Sequence, residues 1–176
     1  MPDEPLPIIP FAPFVASTMT VEPAWIDYNG HMNMAYYVVL FDRAADEVFA
    51  LLGLGPDYLR DRNGSAFTAE LHVRYLRELT LGTSVRVTVR LLDYDAKRIH
   101  AYFEIHHAEE GWVAACCEKL FLHVDMTTRR AGAMPADILA SLALMKAAHA
   151  PLPPPAGTGR TIGLSRRADR PVLEPA

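Results

Sequence analysis

Residues 25–33, WIDYNGHMN, run straight into MAYYVVLFDRAADEVFALLG at 34–53, and the join between them decides how the rest of the chain reads. In the second stretch Tyr37, Leu40, Phe41, Ala44, Val48, Leu51 and Leu52 recur at helical spacing, with Asp42, Arg43, Asp46 and Glu47 on the other side. Gly53 and Gly55 stop the pattern. The spacing predicts an amphipathic helix of about 20 residues, roughly 30 Å long. Asn33 is placed to cap it, because its side chain can accept from a free amide of the first turn. The polar knot before the helix holds an acid, Asp27, beside that helix start.

Outward from this join the pattern is mostly extended. Thr18 to Ile26 reads as a strand before the helix. After it, Phe67, Ala69, Leu71, Val73 and Tyr75 alternate with Thr68, Glu70, His72 and Arg74, the two-residue period of a half-buried strand. The period returns with Val85, Val87, Val89 and Leu91, and again with Ile99, Ala101, Phe103 and Ile105. WVAACCEKLFLHVDM, from Trp112, is apolar on both phases apart from Glu118, Lys119 and His123, as expected of an interior strand. DYDAK and AEEG sit where hairpin turns are needed. A last amphipathic stretch at about 136–149 caps the sheet. The expectation is an α+β domain at 16–149, with a strand, a long helix and four antiparallel strands. An extended arm at 1–15 precedes it and a flexible Pro/Arg-rich tail at 150–176 follows. One sheet with one buried helix leaves a face or an edge to cover, and a second copy of the chain is the obvious supplier.

Several function classes fall away. Net charge is −4 and the basic residues are scattered, so no concentrated positive face suits nucleic acid. No apolar run approaches the roughly 18 residues that cross a bilayer, and MPDEPLPIIP lacks the basic start of a signal peptide, which points to a cytoplasmic protein without a membrane partner. Adjacent Cys116 and Cys117 read as small buried side chains rather than a disulfide. His100, His106, His107 and His123 show no metal-ligand spacing, so no metal is expected. GTG at 157–159 is not followed by a helix and lysine, and Arg160, Arg166, Arg167 and Arg170 read as a solvated tail.

The knot itself offers chemistry. A helix start favours a developing negative charge through its unpaired N–H groups and dipole. A carbonyl oxygen seated on the amides around Asn33 to Ala35 makes its carbon more electrophilic, and a nearby carboxylate can attack it or activate water. Gly30 permits the turn and a close backbone approach. Quieter roles stand beside these: Asp27 as an Asx-turn residue, His31 as a loop hydrogen-bond partner, Asn33 as a cap alone, Trp25 and Tyr28 as packing.

WIDYNGHMNMAYY, read as DxxGHxN before an aromatic-bearing helix, resembles the signature of hotdog-fold thioesterases of the 4-hydroxybenzoyl-CoA thioesterase type. The likeness covers roughly residues 18–134. EPAWIDYNGHMN, FTAELHVRYLREL, KRIHAYFEIHH and LFLHVDMTTRRA look most like the betainyl-CoA thioesterases of carnitine breakdown. The resemblance implies an antiparallel five-stranded sheet wrapped around one long central helix. It implies an acyl-CoA hydrolase with Asp27 in the catalytic aspartate's place, a helix-start amide near Met34 polarising the carbonyl, and His31 and Asn33 within the motif. No separate cofactor is implied, coenzyme A being part of the substrate. Each site would lie between two subunits of a homodimer or tetramer. Gly30, Trp25, Tyr28, Tyr36, Phe67, Thr68, Glu70 and His72 are the substrate-binding candidates, the last three for a partner's site. A betaine-like acyl group would call on aromatic faces, for which Tyr75 and Trp112 are further candidates. Two other readings stay open: a hotdog hydratase or dehydratase using Asp27 and His31, and a non-catalytic acyl-CoA-binding module. A carboxylate kept beside the helix start favours turnover, because burying an acid without a task costs stability.

Overall fold

The computed structural model describes residues 12–164. Two short strands, β1 (Phe14–Val15) and β2 (Met19–Thr20), lead through a 3-10 turn at Pro23–Trp25 and the polar knot into α1 (Met34–Leu52). Then come α2 (Pro56–Arg62), β3 (Gly64–Tyr75), β4 (Ser84–Tyr94), β5 (Arg98–His107), β6 (Val113–Asp125), β7 (Arg130–Ala131) and α3 (Ala136–His149). The strands form one antiparallel sheet in the order β1-β4-β5-β6-β3, with β2 also on β4 and β7 on β6. Among the described residues no helix is long and apolar enough to cross a membrane.

The helix has 19 residues, ends at Gly53 in the left-handed region (φ 84°), and buries Leu40, Phe41, Ala44, Val48 and Leu52. Edge-to-face contacts pin it to the sheet, Phe41 on Phe103 with ring centroids 6.1 Å apart and Phe49 on Phe121 at 4.8 Å. Each such apolar side chain contributes roughly 1.5–3 kcal/mol on burial. The alternations in β4 and β5 are realised, since Val85, Val87, Val89, Leu91, Ile99, Ala101, Phe103 and Ile105 are all buried. β6 is covered on both faces, and even Lys119 is only 1% exposed.

Three elements differ from the sequence expectation. The strand expected from Thr18 to Ile26 is cut to Met19–Thr20, because Pro23 has no N–H to donate to a ladder and instead opens the 3-10 turn. A helix, α2, occupies 56–62 after the stop at Gly55; it is a single short element with Pro56 at its start and Asn63 in the left-handed region at its end. Among the described residues the strands therefore number seven in this sheet, four of them long, rather than five.

β3 departs from simple alternation. Its pairing with β6 steps from Thr68↔Phe121 to Glu70↔Leu120, so Ala69 is an extra, bulged residue. Cross-strand partners share a face. Thr68 therefore sits on the helix side with Phe121, whereas Glu70 and His72 face the other way with Leu120 and Glu118. Because β3 is the sheet's edge, Phe67, Leu71 and Tyr75 stay 40%, 41% and 45% exposed.

The Pro/Arg-rich segment begins differently from a free tail. Arg90 donates to the carbonyls of Leu152 (2.7 Å) and Pro153, the Tyr102 hydroxyl donates to Ala156 (2.9 Å), and the Gly159 amide donates to Glu118 (2.6 Å). Residues 152–159 thus lie along the sheet face opposite α1, held through their backbone. Residues 165–176, with Arg166, Arg167 and Arg170, lie outside the described residues, as do residues 1–11 of the arm.

Candidate active site

The knot is a closed loop. The Asp27 amide donates to His31 O (3.1 Å), the Gly30 amide to Asp27 O (3.0 Å) and the Asn33 amide to Trp25 O (2.9 Å). Gly30 takes φ 84°, a conformation that side-chain-bearing residues rarely adopt. Asp27 Oδ1 accepts from the Asn29 amide at 2.8 Å, so the Asx turn exists, and the carboxyl side chain is 15% exposed. Its second oxygen makes no hydrogen bond among the described residues. His31 Nδ1 lies 3.9 Å from Asp27 Oδ1 and 3.4 Å from Met32 O.

Asn33 shapes what the helix start presents. Its side chain accepts from the Ala35 amide at 3.0 Å and its carbonyl from the Tyr36 amide at 3.0 Å. Of these first-turn donors, the Met34 N–H is left without an acceptor among the described residues. Beside it opens a groove of ≈ 280 Å³ whose walls include His31, Met34, Tyr37, Tyr75, Arg77 and Glu78. The far wall is the segment after β3. It is held down by Met32 N–H to Leu79 O (2.7 Å) and by Leu79 N–H to the Tyr37 hydroxyl (3.1 Å). Tyr75 donates to Met34 O at 3.3 Å and meets Tyr37 edge to face, with centroids 5.2 Å apart. Burial, first of all, raises the Tyr37 and Tyr75 phenols above their ordinary range, and the Glu78 carboxylate adds to the effect at Tyr37. Both phenols are therefore held neutral as hydrogen-bond donors.

A capped helix start with one free amide, an acid in the preceding loop and a groove alongside is an arrangement for binding a polarised carbonyl. The profile of the thioesterase-like superfamily matches residues 21–142. The chain belongs to the thioesterase-like superfamily. It is 38% identical over 146 residues to an L-carnitine dehydrogenase/betainyl-CoA thioesterase of Rhizobium meliloti, covering 83% of this chain and 29% of that protein. It is also 38% identical over 145 residues to a betainyl-CoA thioesterase of Pseudomonas aeruginosa, covering 82% of this chain and 91% of that protein. The chain thus spans under a third of the fused relative and nearly all of the free-standing one. Among solved structures, a hypothetical protein of Staphylococcus aureus in complex with CoA superimposes with a TM-score of 0.82 at 29% identity, covering 89% of this chain and 98% of that one.

In this thioesterase-like chain the expected site residues fall in several places. Asp27, Gly30, His31, Asn33 and Met34 share the knot and helix start, but only His31 and Met34 line the groove, with Asp27 one layer behind His31. Trp25 and Tyr36 stack on each other, 5.5 Å between centroids and 13° between planes, with the Arg43 guanidinium 5.1 Å over Trp25, which makes them packing residues of the knot. Tyr28 is 97% exposed and touches neither. Phe67 and Thr68 lie far along β3, about 25 Å from its Tyr75 end at the usual rise per residue. Glu70 and His72 line a different cavity, of ≈ 450 Å³, on the outer face. None of these four reaches the groove of its own chain. The sequence reading missed Arg77 and Glu78, whose only local signal is a charged pair just past the end of a strand.

Proposed function

We propose that this chain hydrolyses the thioester of a short acyl-CoA, betainyl-CoA foremost, to the free acid and CoA, and that it does so as a homodimer. Thioester hydrolysis rests on the family and on the named relatives; the betainyl group is carried over from the relatives' names. The observation that supports Asp27 and the helix start as the machinery is the Met34 N–H, a donor beside the groove in the loop that also holds the acid. A thioester carbonyl on that amide gains positive character at carbon. Asp27 then either attacks it, giving an anhydride that water cleaves, or takes the proton of an attacking water. Both routes release the acid and CoA, and thiolate leaves well enough to need no strong acid. Removing one such positioned carboxylate costs about 10²- to 10⁴-fold in rate.

The dimer is supported by β3. Its 12 residues pair, among the described residues, with no strand but β6, and Phe67, Leu71 and Tyr75 are half-exposed along it. An unpartnered edge of this length is a template for another strand, and a second β3 is the self-complementary choice. Pairing in antiparallel fashion would also bring the Phe67–Thr68 end of one copy toward the Tyr75 end of the other.

The test offers purified protein a panel of acyl-CoA esters with a thiol reagent reporting free CoA. Wild-type turnover that disappears in both Asp27→Ala and Asp27→Asn, each still folded, is expected. Wild-type rates in Asp27→Ala would rule out the assigned role, and hydration of an enoyl-CoA without thiol release would transfer the chain to hydratase chemistry.

A further inference from the structure

The groove beside the helix start contains one carboxylate that the hydrolytic scheme does not use. Glu78 lines it and makes no hydrogen bond or ion pair among the described residues. Its sequence neighbour Arg77 lines the groove too, but forms no ion pair with it among the described residues. The Arg77 guanidinium lies 4.7 Å over the Trp112 ring, which in turn stacks on His107 at 5.0 Å. The neighbouring cation is thus held on an aromatic ring rather than in an ion pair with Glu78. On the same wall the Tyr75 ring is half-exposed and its hydroxyl is tied to Met34 O, so an aromatic face and the free amide are held within one short span.

We propose that Glu78, with the Tyr75 ring, is the subsite that reads a positive charge on the acyl group, so that the groove selects acyl esters ending in a quaternary ammonium. This rests on the groove being the acyl site of the thioesterase reading above. In a betaine ester the nitrogen is two bonds from the thioester carbon, so with the carbonyl on the Met34 amide the charge must fall within the same short groove. A quaternary ammonium has no N–H to donate. It is recognised through the negative face of an aromatic ring and by a nearby anion rather than by hydrogen bonds. A carboxylate without an ion pair in an aromatic-walled groove is that anion. Asp27 cannot fill the role while it serves the carbonyl.

The experiment compares betainyl-CoA with its neutral carbon isostere, 3,3-dimethylbutanoyl-CoA, in wild type and Glu78→Gln, after thermal denaturation has confirmed that both proteins are folded. Glu78→Gln is expected to lower kcat/KM for betainyl-CoA by about fivefold, mostly through KM, as befits one partly screened charge contact. The neutral isostere is expected to hold its rate or gain. Equal losses on both esters, or a ratio that Glu78→Gln leaves unmoved while both are cleaved, would overturn this inference alone. Wild-type protein that cleaves neither ester would overturn the thioesterase reading and this inference with it.

Discussion

Asp27 Oδ1 and His31 Nδ1 stand 3.9 Å apart, within one loop and outside hydrogen-bond reach. The imidazole therefore neither orients the carboxylate through a hydrogen bond nor shares a proton with it directly, and its place is the groove wall. His31→Gln is expected to reduce kcat less than tenfold, whereas Asp27→Asn costs about 10²-fold or more. Steady-state kinetics on a single acyl-CoA ester checks the contrast, and comparable losses in the two variants would give His31 a direct part in the chemistry.

Asn33 bridges stability and chemistry, because its side chain occupies the Ala35 amide and leaves Met34 as the exposed donor. Asn33→Ala is expected to cost about 1 kcal/mol of stability in urea denaturation, the usual loss for an N-cap. Asn33→Asp keeps the acceptor and should restore that stability. It also places a second negative charge at the helix start, against the developing oxyanion, so its kcat should stay below wild type.

The sequence made the scaffold legible where a period ran unbroken. The heptad-like face of α1, the alternation in β4 and β5 and the doubly apolar β6 each announce an element whose burial follows from its own pattern. Asn33 as the cap was legible for the same local reason. In β3 the expected faces hold for Glu70 to Val73, but the extra residue at Ala69 puts Thr68 on the helix side and Phe67 on the outer one, and a bulge of that kind leaves no mark in an alternating string. The groove wall was missed because Arg77 and Glu78 meet the helix start only through a return of the chain, fixed by the bonds between Met32, Tyr37 and Leu79 across more than 40 positions. Local spacing cannot reveal a site assembled at that separation.

Leu71 tests the edge of the sheet. It pairs with Lys119 on the helix side of β3 yet is 41% exposed, because β3 is the edge strand. In a monomer, Leu71→Glu would be near neutral, as most exposed substitutions are. In a β3-to-β3 dimer it would bury charge at the joint. The expectation is a shift from dimer to monomer by light scattering, with activity lost in parallel, and an unchanged dimer would place the interface elsewhere.

Gly64 carries a packing prediction independent of the site. A Cβ there would fall 2.7 Å from the Tyr58 hydroxyl and 2.8 Å from its Cζ. Tyr58 cannot retreat easily: its hydroxyl is 2.8 Å from His123 Nε2, and His123 Nδ1 is 2.9 Å from Gly132 O. If Nδ1 carries the proton and donates to Gly132, Nε2 is the acceptor of the Tyr58 hydroxyl, and the buried pair is satisfied without charge. Gly64→Ala should therefore destabilise by about 1–3 kcal/mol through overpacking. Gly64→Ala combined with Tyr58→Phe should recover little, because the ring carbons remain in the way.

The two cysteines bear on any assay that reads free thiol. Cys116 and Cys117 are both buried, and burial, more than any neighbour, pushes the Cys117 thiol up to about 12 from 9.0. The thiolate is the reactive form, so at pH 8 the native protein is expected to give no signal with a thiol reagent, and two thiols per chain after unfolding in guanidinium. The same shift has a defined sign for stability. The unfolded chain ionises near 9 while the native one holds its proton, so stability is unaffected below pH 9 and declines as pH rises from 9 toward 12. Cys117→Ala should flatten that alkaline decline while losing some packing at every pH. A slope that Cys117→Ala leaves unchanged would assign the alkaline sensitivity to another group, with the raised tyrosine phenols the next to examine.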